Sequence, residues 1–508
     1  MCRLCDAGTP QDHSGSRRDF LKTTTVAGAA AAGLGLFAAR PAAADGDAGP
    51  QDSGRAGRRY IIRGGHVMSM DPAVGDFIQA DVLVEGKKIA AVGPNLRAGG
   101  AAEIDARNRI VMPGFVDTHH HQFETALRSF LADGLLFNDG KPHGAINYFE
   151  YILGRFAPVY RPQDVYINEV FGSLSQLDAG VTTVHDISQI HHSPEHSDAA
   201  IKGIMDSGRR AAFGYFESAG ARPGNQYPTD ARRIKKQWFS SDDQLVTMIM
   251  GGEIYLPGHE AAWAIGRELK IPVCAHIVGS FGMQPEFDRL AALGAFGPDN
   301  LFIHMTGMSD FGWQKTKDAG ARVSLAVPIE MNMRHGMPPI LKTLAMGIQP
   351  SLSTDVECTL TADMFTQMRT TMALQRAIVN ETALETGNPP SLPELLTTRD
   401  VLRFATIQGA IDLKLGHKTG SLTPGKEADI ILLDANAINV APLNHVPGAV
   451  VSLMERSNVE TVIVAGKVRK WKGQLLDANV SRLRRELEAS RDYLFGAAGI
   501  PQNLFRPN

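Results

Sequence analysis

Two histidines separated by a single residue follow an apolar stretch in the segment 112–121, Met-Pro-Gly-Phe-Val-Asp-Thr-His-His-His. The run from Ile110 to Val116 predicts a short strand that a Pro-Gly step interrupts. Because side chains alternate along a strand, we expect His119 and His121 on one face and His120 on the other. Two neutral imidazoles on one face can bind a single divalent metal ion. The spacing therefore indicates a candidate metal site at the end of this strand.

Further groups of the same kind follow later apolar runs. His276, His304 and Asp355 each stand at or after the end of such a run. In a barrel of parallel strands the carboxyl ends of the strands meet at one face, where reactive groups lie. A divalent ion with an open coordination position lowers the pKa of a bound water to about 7. Asp355 can then take the proton of the attacking water and return it to the leaving group.

The elements that must position these side chains can be predicted from the apolar pattern. Residues 113–415 alternate short apolar runs with helical patterns, which predicts βα units in a parallel barrel and an α/β fold class. Barrel strands two to eight are expected at 180–186, 210–216, 245–250, 271–276, 301–304, 322–327 and 349–355. Short β-type runs in 58–112 and 416–475 predict a small β-domain, and 476–508 predicts a helical tail. A chain of 508 residues is long enough to form both the barrel and a smaller second domain.

The segment Pro113 to His121 resembles the first-strand signature of the amidohydrolase superfamily, which comprises metal-dependent hydrolases with a TIM-barrel core. The resemblance extends over nearly all of residues 58–475. The segment Leu422 to Asp429 is similar to the one that leads into the C-terminal β-strands in members of this superfamily. It implies a (β/α)8 TIM barrel with a small β-sandwich domain that both flanks of the barrel build. Within the superfamily, the chain is most similar to the branch of deaminases and triazine hydrolases.

The resemblance also implies roles for individual residues. It makes Asp355 the general base and acid, and His304 a group that binds the substrate or the attacking water. The strand-four lysine of two-metal members is absent, which favours one metal ion, although Glu253 is a conceivable replacement. We expect zinc, with Fe, Mn or Ni as alternatives. The expected ligands of this ion are His119, His121, His276 and Asp355.

One position departs from the pattern of that branch. Its members usually carry a glutamate three residues after the strand-five histidine, as a proton shuttle to a ring nitrogen, whereas this chain has Gly279. The departure favours hydrolysis of an amide or cyclic amide over deamination or dechlorination of a nitrogen heterocycle, which remains the alternative. A non-catalytic barrel is disfavoured because all five ligand-type residues are kept. The expected substrate contacts are His185, Glu217, Glu253, Glu330 and His304, and Glu217 or Glu330 can supply a substitute carboxylate.

The N-terminal segment predicts export. Arg17 and Arg18 precede a mild apolar run, and Ala42-Ala43-Ala44 offers a small-residue cleavage site. This pattern predicts a twin-arginine signal peptide over 1–44, a flexible leader over 45–57 and a periplasmic or secreted protein. Since the apolar run is too short to span a bilayer, no membrane anchor is expected after cleavage.

The composition of the chain limits the classes of molecule that it is expected to bind. The formal net charge is −3 and basic residues form no tract beyond the N-terminus, so nucleic-acid binding has no electrostatic support. We expect a small-molecule substrate and leave a homo-oligomer open. Cys2 and Cys5 lie in the segment to be removed, and we expect Cys274 and Cys358 to be buried free thiols.

Overall fold

A computed structural model describes residues 49–50, 52–220 and 225–505. The predicted signal peptide, 1–44, lies outside these residues, as does part of the predicted leader. The described remainder of the leader forms turns, and the Ser53 hydroxyl accepts a hydrogen bond from the Val468 N–H at 3.0 Å. No helix within the described ranges is both long and apolar enough to cross a membrane.

Strands and helices alternate over most of the described chain. The strands are β1 (Arg59–Met68), β2 (Asp76–Glu85), β3 (Lys88–Gly93), β4 (Ala102–Asp105), β5 (Arg109–Pro113), β6 (Phe115–His120), β7 (Val181–Ser188), β8 (Arg210–Tyr215), β9 (Val246–Gly251), β10 (Val273–Val278), β11 (Asn300–Thr306), β12 (Arg322–Leu325), β13 (Ser351–Leu352), β14 (Ile430–Asp434), β15 (Val459–Val464), β16 (Lys467–Trp471) and β17 (Gln474–Leu475). The α-helices are α1 (Pro162–Asp178), α2 (Pro194–Ser207), α3 (Ala231–Trp238), α4 (His259–Glu268), α5 (Gln284–Ala292), α6 (Asp310–Asp318), α7 (Val327–Asn332), α8 (Ile340–Ala345), α9 (Met364–Thr386), α10 (Thr398–Arg403), α11 (Gly409–Asp412), α12 (Val446–Gly448) and α13 (Val480–Ala498). Short 3₁₀ or π-helical segments are Gln122–Leu127, Pro142–Gly144, Tyr148–Phe156, Ala157–Val159, Gly279–Phe281, Phe404–Gln408, Ala449–Leu453 and Arg456–Asn458.

Strands β6 to β13 form one parallel sheet in chain order, and helices cross between most neighbours. A parallel bridge between His120 and Asp355 joins the last strand region to the first, so the sheet nearly closes on itself. Bulky apolar side chains fill the interior, among them Val116, Ile249 and Leu301, all essentially without solvent exposure. The predicted fold class, an α/β TIM barrel, is confirmed.

The second sheet combines both flanks of the barrel. Its order is β17-β16-β15-β14-β5-β1-β2-β3, with β4 beside β1. The contact between the flanks is the antiparallel pair of β14 with β5, whose register runs from Ile430 opposite Pro113 to Asp434 opposite Arg109. The N-terminal and C-terminal β-runs therefore share one sheet, as the family resemblance implied.

The prediction of one strand from Ile110 to Val116 is wrong, because the segment divides between the two sheets. β5 belongs to the flank sheet and β6 to the barrel, with Gly114 at the junction. A Cβ on Gly114 would lie 2.2 Å from the Thr182 side chain, so only glycine permits this approach of β6 to β7. The Pro-Gly step is thus the crossing between sheets and not an interruption within one strand.

Strands seven and eight are shorter than predicted. β12 ends at Leu325, and helix α7 starts at Val327 with Pro328 in its first turn, where proline is well accommodated. β13 contains only Ser351 and Leu352, and the residues after it run on to the barrel closure without regular pairing. Glu330 consequently lies on helix α7.

Arg210, the first residue of β8, ties the barrel to the flank sheet. Its fully buried guanidinium donates at 2.6 Å to Asp429 and at 2.6 Å to Glu427, both just before β14. Replacing Arg210 by Met would remove the buried cation that neutralises two carboxylates, so we expect the free energy of unfolding to fall by about 3–5 kcal/mol. Chemical denaturation measures this. Replacing Arg232, whose ion pair with Glu268 is half-exposed, should change it by less than about 1 kcal/mol.

The C-terminal helix packs on the outside of the barrel. The Ser490 hydroxyl donates to Asp164 of α1 at 2.8 Å, and Phe495 contacts Phe130 and Phe156 with ring centroids 5.6 and 5.0 Å apart. Cys274 and Cys358 are free and buried, as expected from the sequence.

Candidate metal centre and active site

The closure of the barrel brings three predicted ligands together through backbone hydrogen bonds. The N–H of His121 donates to the Asp355 carbonyl at 2.9 Å, and the N–H of Asp355 donates to the His119 carbonyl at 2.9 Å. As a result, Asp355 Oδ1 lies 3.4 Å from His119 Nε2 and 3.8 Å from His121 Nε2. The pairing of the first and last strand regions therefore builds one side of the site directly.

Two further histidines complete the cluster from neighbouring strands. Nε2 of His276, on β10, lies 3.0 Å from His119 Nε2, which in turn lies 3.0 Å from His121 Nε2. Nε2 of His304, on β11, lies 3.6 Å from Asp355 Oδ2. The two oxygens of Asp355 thus face different partners, Oδ1 the first-strand histidines and Oδ2 His304.

The hydrogen-bond partners of these rings determine which nitrogen carries the proton. Carbonyl and carboxylate oxygens accept, so an Nδ1 that meets one is protonated, and the Nε2 of the same ring presents a lone pair. The three contacts are His121 Nδ1 to the Ile187 carbonyl at 3.1 Å, His276 Nδ1 to Glu253 at 2.5 Å and His304 Nδ1 to Glu330 at 3.1 Å. The Nε2 lone pairs of His121 and His276 therefore both face Nε2 of His119, an arrangement that a bound cation would stabilise.

The spacing and the burial of the donors fit a divalent ion. Ligands at about 2.0 Å from a tetrahedral zinc ion lie about 3.3 Å apart, close to the separations of the Nε2 atoms. Burial lowers the pKa of His119 and of His121 well below the usual value, which keeps these imidazoles in the neutral, ligating form. The residues present therefore fit a metal ion held by His119, His121, His276 and Asp355.

The electrostatics of the cluster also favour a cation. Burial, with the Asp117 charge adding to it and His276 opposing it, raises the pKa of Asp355 to about 7. Burial lowers the pKa of His276, but the Glu253 carboxylate outweighs this and raises it overall. The negative field that favours a proton on His276 favours a metal ion at the same place.

Backbone strain is concentrated at the same residues. His304 and Asp355 have φ of +70° and +63°, in the left-handed region that non-glycine residues rarely adopt. Met305 is an extra residue in the pairing of β10 with β11, where Ile277 faces His304 and Val278 faces Thr306. Such a bulge redirects the neighbouring side chain. Strain of this kind is common at functional sites.

A mostly apolar cavity opens onto the cluster. Phe149 and Phe281 of its wall meet edge-on with centroids 5.1 Å apart, and Phe137 packs on both rings at 4.4 and 5.0 Å. The cavity is lined by His121, Leu136, Tyr148, Phe149, Leu153, Gln189, Tyr255, His276, Val278, Phe281, His304, Ile329, Met333, His335, Asp355 and Val356. Flat apolar or aromatic ligands suit such walls.

Comparison with known protein families decides the assignment of the chain. A model of the amidohydrolase family matches residues 110–469, well over half of the sequence. The chain belongs to the amidohydrolase family.

Amidohydrolases with named activities are similar to it over most of their length. A 5'-deoxyadenosine deaminase of Methanosarcina mazei is 28% identical over 424 residues, which cover 80% of this chain and 92% of that protein. A 5-methylthioadenosine/S-adenosylhomocysteine deaminase of Pelotomaculum thermopropionicum is 26% identical over 454 residues, covering 84% of this chain and 97% of that protein. The chain is therefore a hydrolase of non-peptide carbon–nitrogen bonds.

Solved structures of similar proteins share the fold. An adenosine deaminase from Xanthomonas campestris with bound zinc has a TM-score of 0.76 at 23% identity, covering 87% of this chain and 100% of that one. An atrazine chlorohydrolase from Arthrobacter aurescens, complexed with zinc, has a TM-score of 0.70 at 19% identity, covering 85% and 100%. The barrel is thus the shared architecture, and these identities carry no conclusion about the substrate.

Most of the residues predicted to contact the substrate of this amidohydrolase do not line the cavity. They lie on the side of the predicted metal ligands that faces away from it. Glu253 accepts hydrogen bonds from both Nδ1 and the backbone N–H of His276, so it orients this ring. Glu217 accepts from the backbone N–H of Glu253 at 2.8 Å, and His185 Nδ1 contacts the Thr118 carbonyl at 3.0 Å. Glu330 holds His304. Of the predicted contacts only His304 lines the cavity, and contact of the others with a substrate stays a prediction.

Glu253 offers a test of this orienting role. Replacing Glu253 by Gln should weaken metal binding about 10- to 100-fold, because groups that hold a ligating imidazole typically contribute that much. Competition with a chromophoric chelator measures the affinity. Replacing Glu488, which is exposed on helix α13, by Gln is the matched control and should leave the affinity unchanged. Equal affinities of the Glu253 variant and the parent protein would contradict the role.

One histidine of the cavity wall was not among the site residues predicted from the sequence. His335 follows helix α7, is 5% exposed, and its ring centroid lies 4.7 Å from that of His304. One of its nitrogens lies within 4.8 Å of ligating atoms of His304 and Asp355. Burial lowers its pKa to about 3. A single histidine outside any motif and beyond a strand end carried no signal in the sequence, and only the fold of the loop brings it here.

The structure also explains the absence of a glutamate at position 279. A Cβ there would lie 2.8 Å from the Thr306 carbonyl oxygen and 2.9 Å from Gly307 Cα. These are backbone atoms of the neighbouring strand end, which cannot move aside as a flexible side chain can. Glycine is therefore required by the close approach of the two loops, and no carboxylate can be added at this position without moving one of them.

Proposed function

We propose that this amidohydrolase deaminates an amino-substituted nitrogen heterocycle. The observation that carries the proposal is the similarity, over 80% of the chain or more, to amidohydrolases that are named as deaminases of adenosine derivatives. The aromatic side chains around the cavity, including Phe149 and Phe281, are compatible with a flat heterocycle. The proposal reverses the order of preference that Gly279 suggested in the sequence.

The chemistry assigns one proton path to the described residues. When bound, a divalent ion, which we propose to be zinc, would make a hydroxide available at neutral pH. Asp355, whose pKa lies at about 7, accepts a proton from the attacking water and later delivers it to the leaving amine, which departs as ammonia. The water oxygen stays on the ring carbon as a carbonyl oxygen, and the second water proton ends on the ring nitrogen. His304, held by Glu330, lies 3.6 Å from Asp355 and would contact the attacked carbon's substituents.

A second candidate reaction, hydrolysis of an amide or cyclic amide, is favoured by one observation. Position 279 has no space for a side chain, so the shuttle carboxylate of this branch is missing there. An amide needs proton delivery only to its leaving nitrogen, which Asp355 can supply alone. Dechlorination of a heterocycle belongs with the first candidate, because it too attacks a ring carbon beside a ring nitrogen.

A substrate panel separates the candidates. The protein from Asp45 onward, loaded with one equivalent of zinc, is incubated with aminated purines, pyrimidines and triazines, chlorinated triazines, N-acyl compounds and cyclic amides. Ammonia release with loss of the exocyclic nitrogen, read by mass spectrometry, is the expected result. Cleaved amides without ammonia from any ring would replace the proposal by the second candidate. No product from metal-loaded protein would contradict both.

We also propose export by the twin-arginine route, on the sequence pattern around Arg17 and Arg18. Replacing both residues by Lys should keep the full-length precursor in the cytoplasm of a bacterial host. The parent sequence should yield a protein shortened by about the predicted signal peptide in the periplasm or medium. Equal fractionation of the two forms would contradict this route.

A further inference from the structure

We propose that His335 contacts the substrate directly, donating a hydrogen bond to the ring nitrogen beside the carbon that water attacks. The inference rests on the proposed deamination, which it deepens by assigning the group that recognises the heterocycle. An imidazole carries at least one N–H in either protonation state, so it can serve as this donor. A donor aimed at the position where charge develops accelerates such a reaction.

The position of His335 is appropriate for this role. It lines the same cavity as Asp355 and His304, and one of its nitrogens lies within 4.8 Å of a ligating atom of each. His335 is therefore close enough to the reacting groups to contact a substrate atom next to them. The side chain is 5% exposed, and its Nδ1 has no hydrogen-bond partner among the described residues. A buried donor or acceptor without a partner is costly, and a ligand that pairs with it recovers the cost.

The other imidazoles of the cavity wall, and the Tyr148 hydroxyl, are already engaged. The Nδ1 atoms of His121, His276 and His304 each have an oxygen partner, and their Nε2 atoms converge on the metal site. The Tyr148 hydroxyl donates to Glu124 at 2.7 Å. Among the imidazoles of the wall, His335 is the one with no oxygen partner in the described part of the chain.

The loop that carries His335 is anchored on both sides. The Thr306 hydroxyl donates to the His335 carbonyl at 2.8 Å, and Arg334 pairs with Asp139 at 2.6 Å. The same hydroxyl lies 3.4 Å from the backbone N–H of Gly279, whose missing side chain is excluded by the Thr306 carbonyl. One residue at the end of β11 thus excludes a carboxylate from position 279 and fixes the position of the imidazole at 335.

Variants of His335 in the zinc-loaded protein test the inference. We expect His335→Gln and His335→Phe to reduce kcat on the best substrate of the panel by about 100-fold or more, the loss typical of a removed transition-state donor. Metal content by mass spectrometry and the unfolding temperature should remain at the parental values. His417→Gln is the matched control, since His417 is exposed and lies outside the cavity wall and the loop anchors. It should keep parental kinetics.

A pair of unreactive inhibitors gives a readout independent of turnover. One is the substrate's ring without its amino group, and the other carries C–H in place of the ring nitrogen. The parent protein should bind the nitrogen compound about 3- to 10-fold more tightly, as expected for one neutral hydrogen bond, and His335→Phe should bind both equally. Unchanged discrimination in His335→Phe would overturn the inference. So would a fall in metal content, because His335 would then be a ligand.

The two proposals fail in different ways. If the parent protein releases ammonia and the His335 variants match it, deamination stands and the role of His335 is wrong. If the parent cleaves only amides, deamination is wrong, and the inference, which concerns a heterocycle ring nitrogen, is overturned with it.

Discussion

Replacing His276 by Ala is expected to abolish turnover, with kcat/KM at least about 1,000-fold below the parent protein. Removing this ring deletes one donor of the proposed metal site, whose Nε2 lies 3.0 Å from that of His119. A bound divalent ion contributes several kcal/mol to transition-state stabilisation, and about 4 kcal/mol corresponds to a factor of roughly 1,000. Steady-state kinetics with the best substrate of the panel measure the loss.

Metal titration supplies an independent measurement for the same variant. Because a ligand that binds only the folded state stabilises it, zinc should raise the unfolding temperature of chelator-treated parent protein, and a chelator should lower it again. His276→Ala should show a much smaller response. His143→Ala, at an exposed histidine, should respond as the parent does. Full turnover by parent protein from which all metal has been removed would contradict the assignment of the centre.

Replacing Asp355 by Asn is expected to reduce kcat by about 100- to 10,000-fold, the range that general acid–base catalysis contributes. Asparagine is the informative substitution because Asp355 has φ +63°, a conformation that asparagine adopts more readily than most residues. The backbone hydrogen bonds between residue 355 and His119 and His121 do not involve the side chain, so the barrel closure should survive. The variant should therefore fold and fail to move the proton.

The measurements for Asp355 must separate chemistry from metal binding. We expect the Asn variant to retain bound zinc at raised metal concentration, because its amide oxygen remains a possible ligand, while kcat stays low. Asp133→Asn, at an exposed position, is the control for loss of a carboxylate. Parental kcat in a metal-loaded Asp355→Asn protein would show that another group accepts the proton.

The parallel barrel could be predicted from the sequence because its signals are local. Apolar runs that end in polar residues recur along 113–415, and the His119 and His121 pair stands at the end of the first. Side chains at the ends of parallel strands meet at one face, so the approach of His276, His304 and Asp355 to this pair followed from their order in the chain. The binding of metal by these residues stays a prediction that the geometry supports.

Only the tertiary structure decided how the remaining groups are used. The local pattern could not show that residues 110–116 cross between two sheets, because an apolar run has the same periodicity whether its two halves share a sheet or separate. Glu253 and Glu330 were candidates for substrate contact from their positions after strands, yet their carboxylates hold His276 and His304. His335 lay outside any motif and reaches the cavity through a loop anchored by Thr306.

The chain by itself therefore determined the class of fold, the types of the candidate ligands and their order, since these depend on periodicity and residue chemistry along short segments. The orientation of each ring, the exclusion of a side chain at Gly279 and the wall of the cavity depend on contacts between residues far apart in sequence. Such contacts arise when the strands close into a barrel, and no local pattern records them.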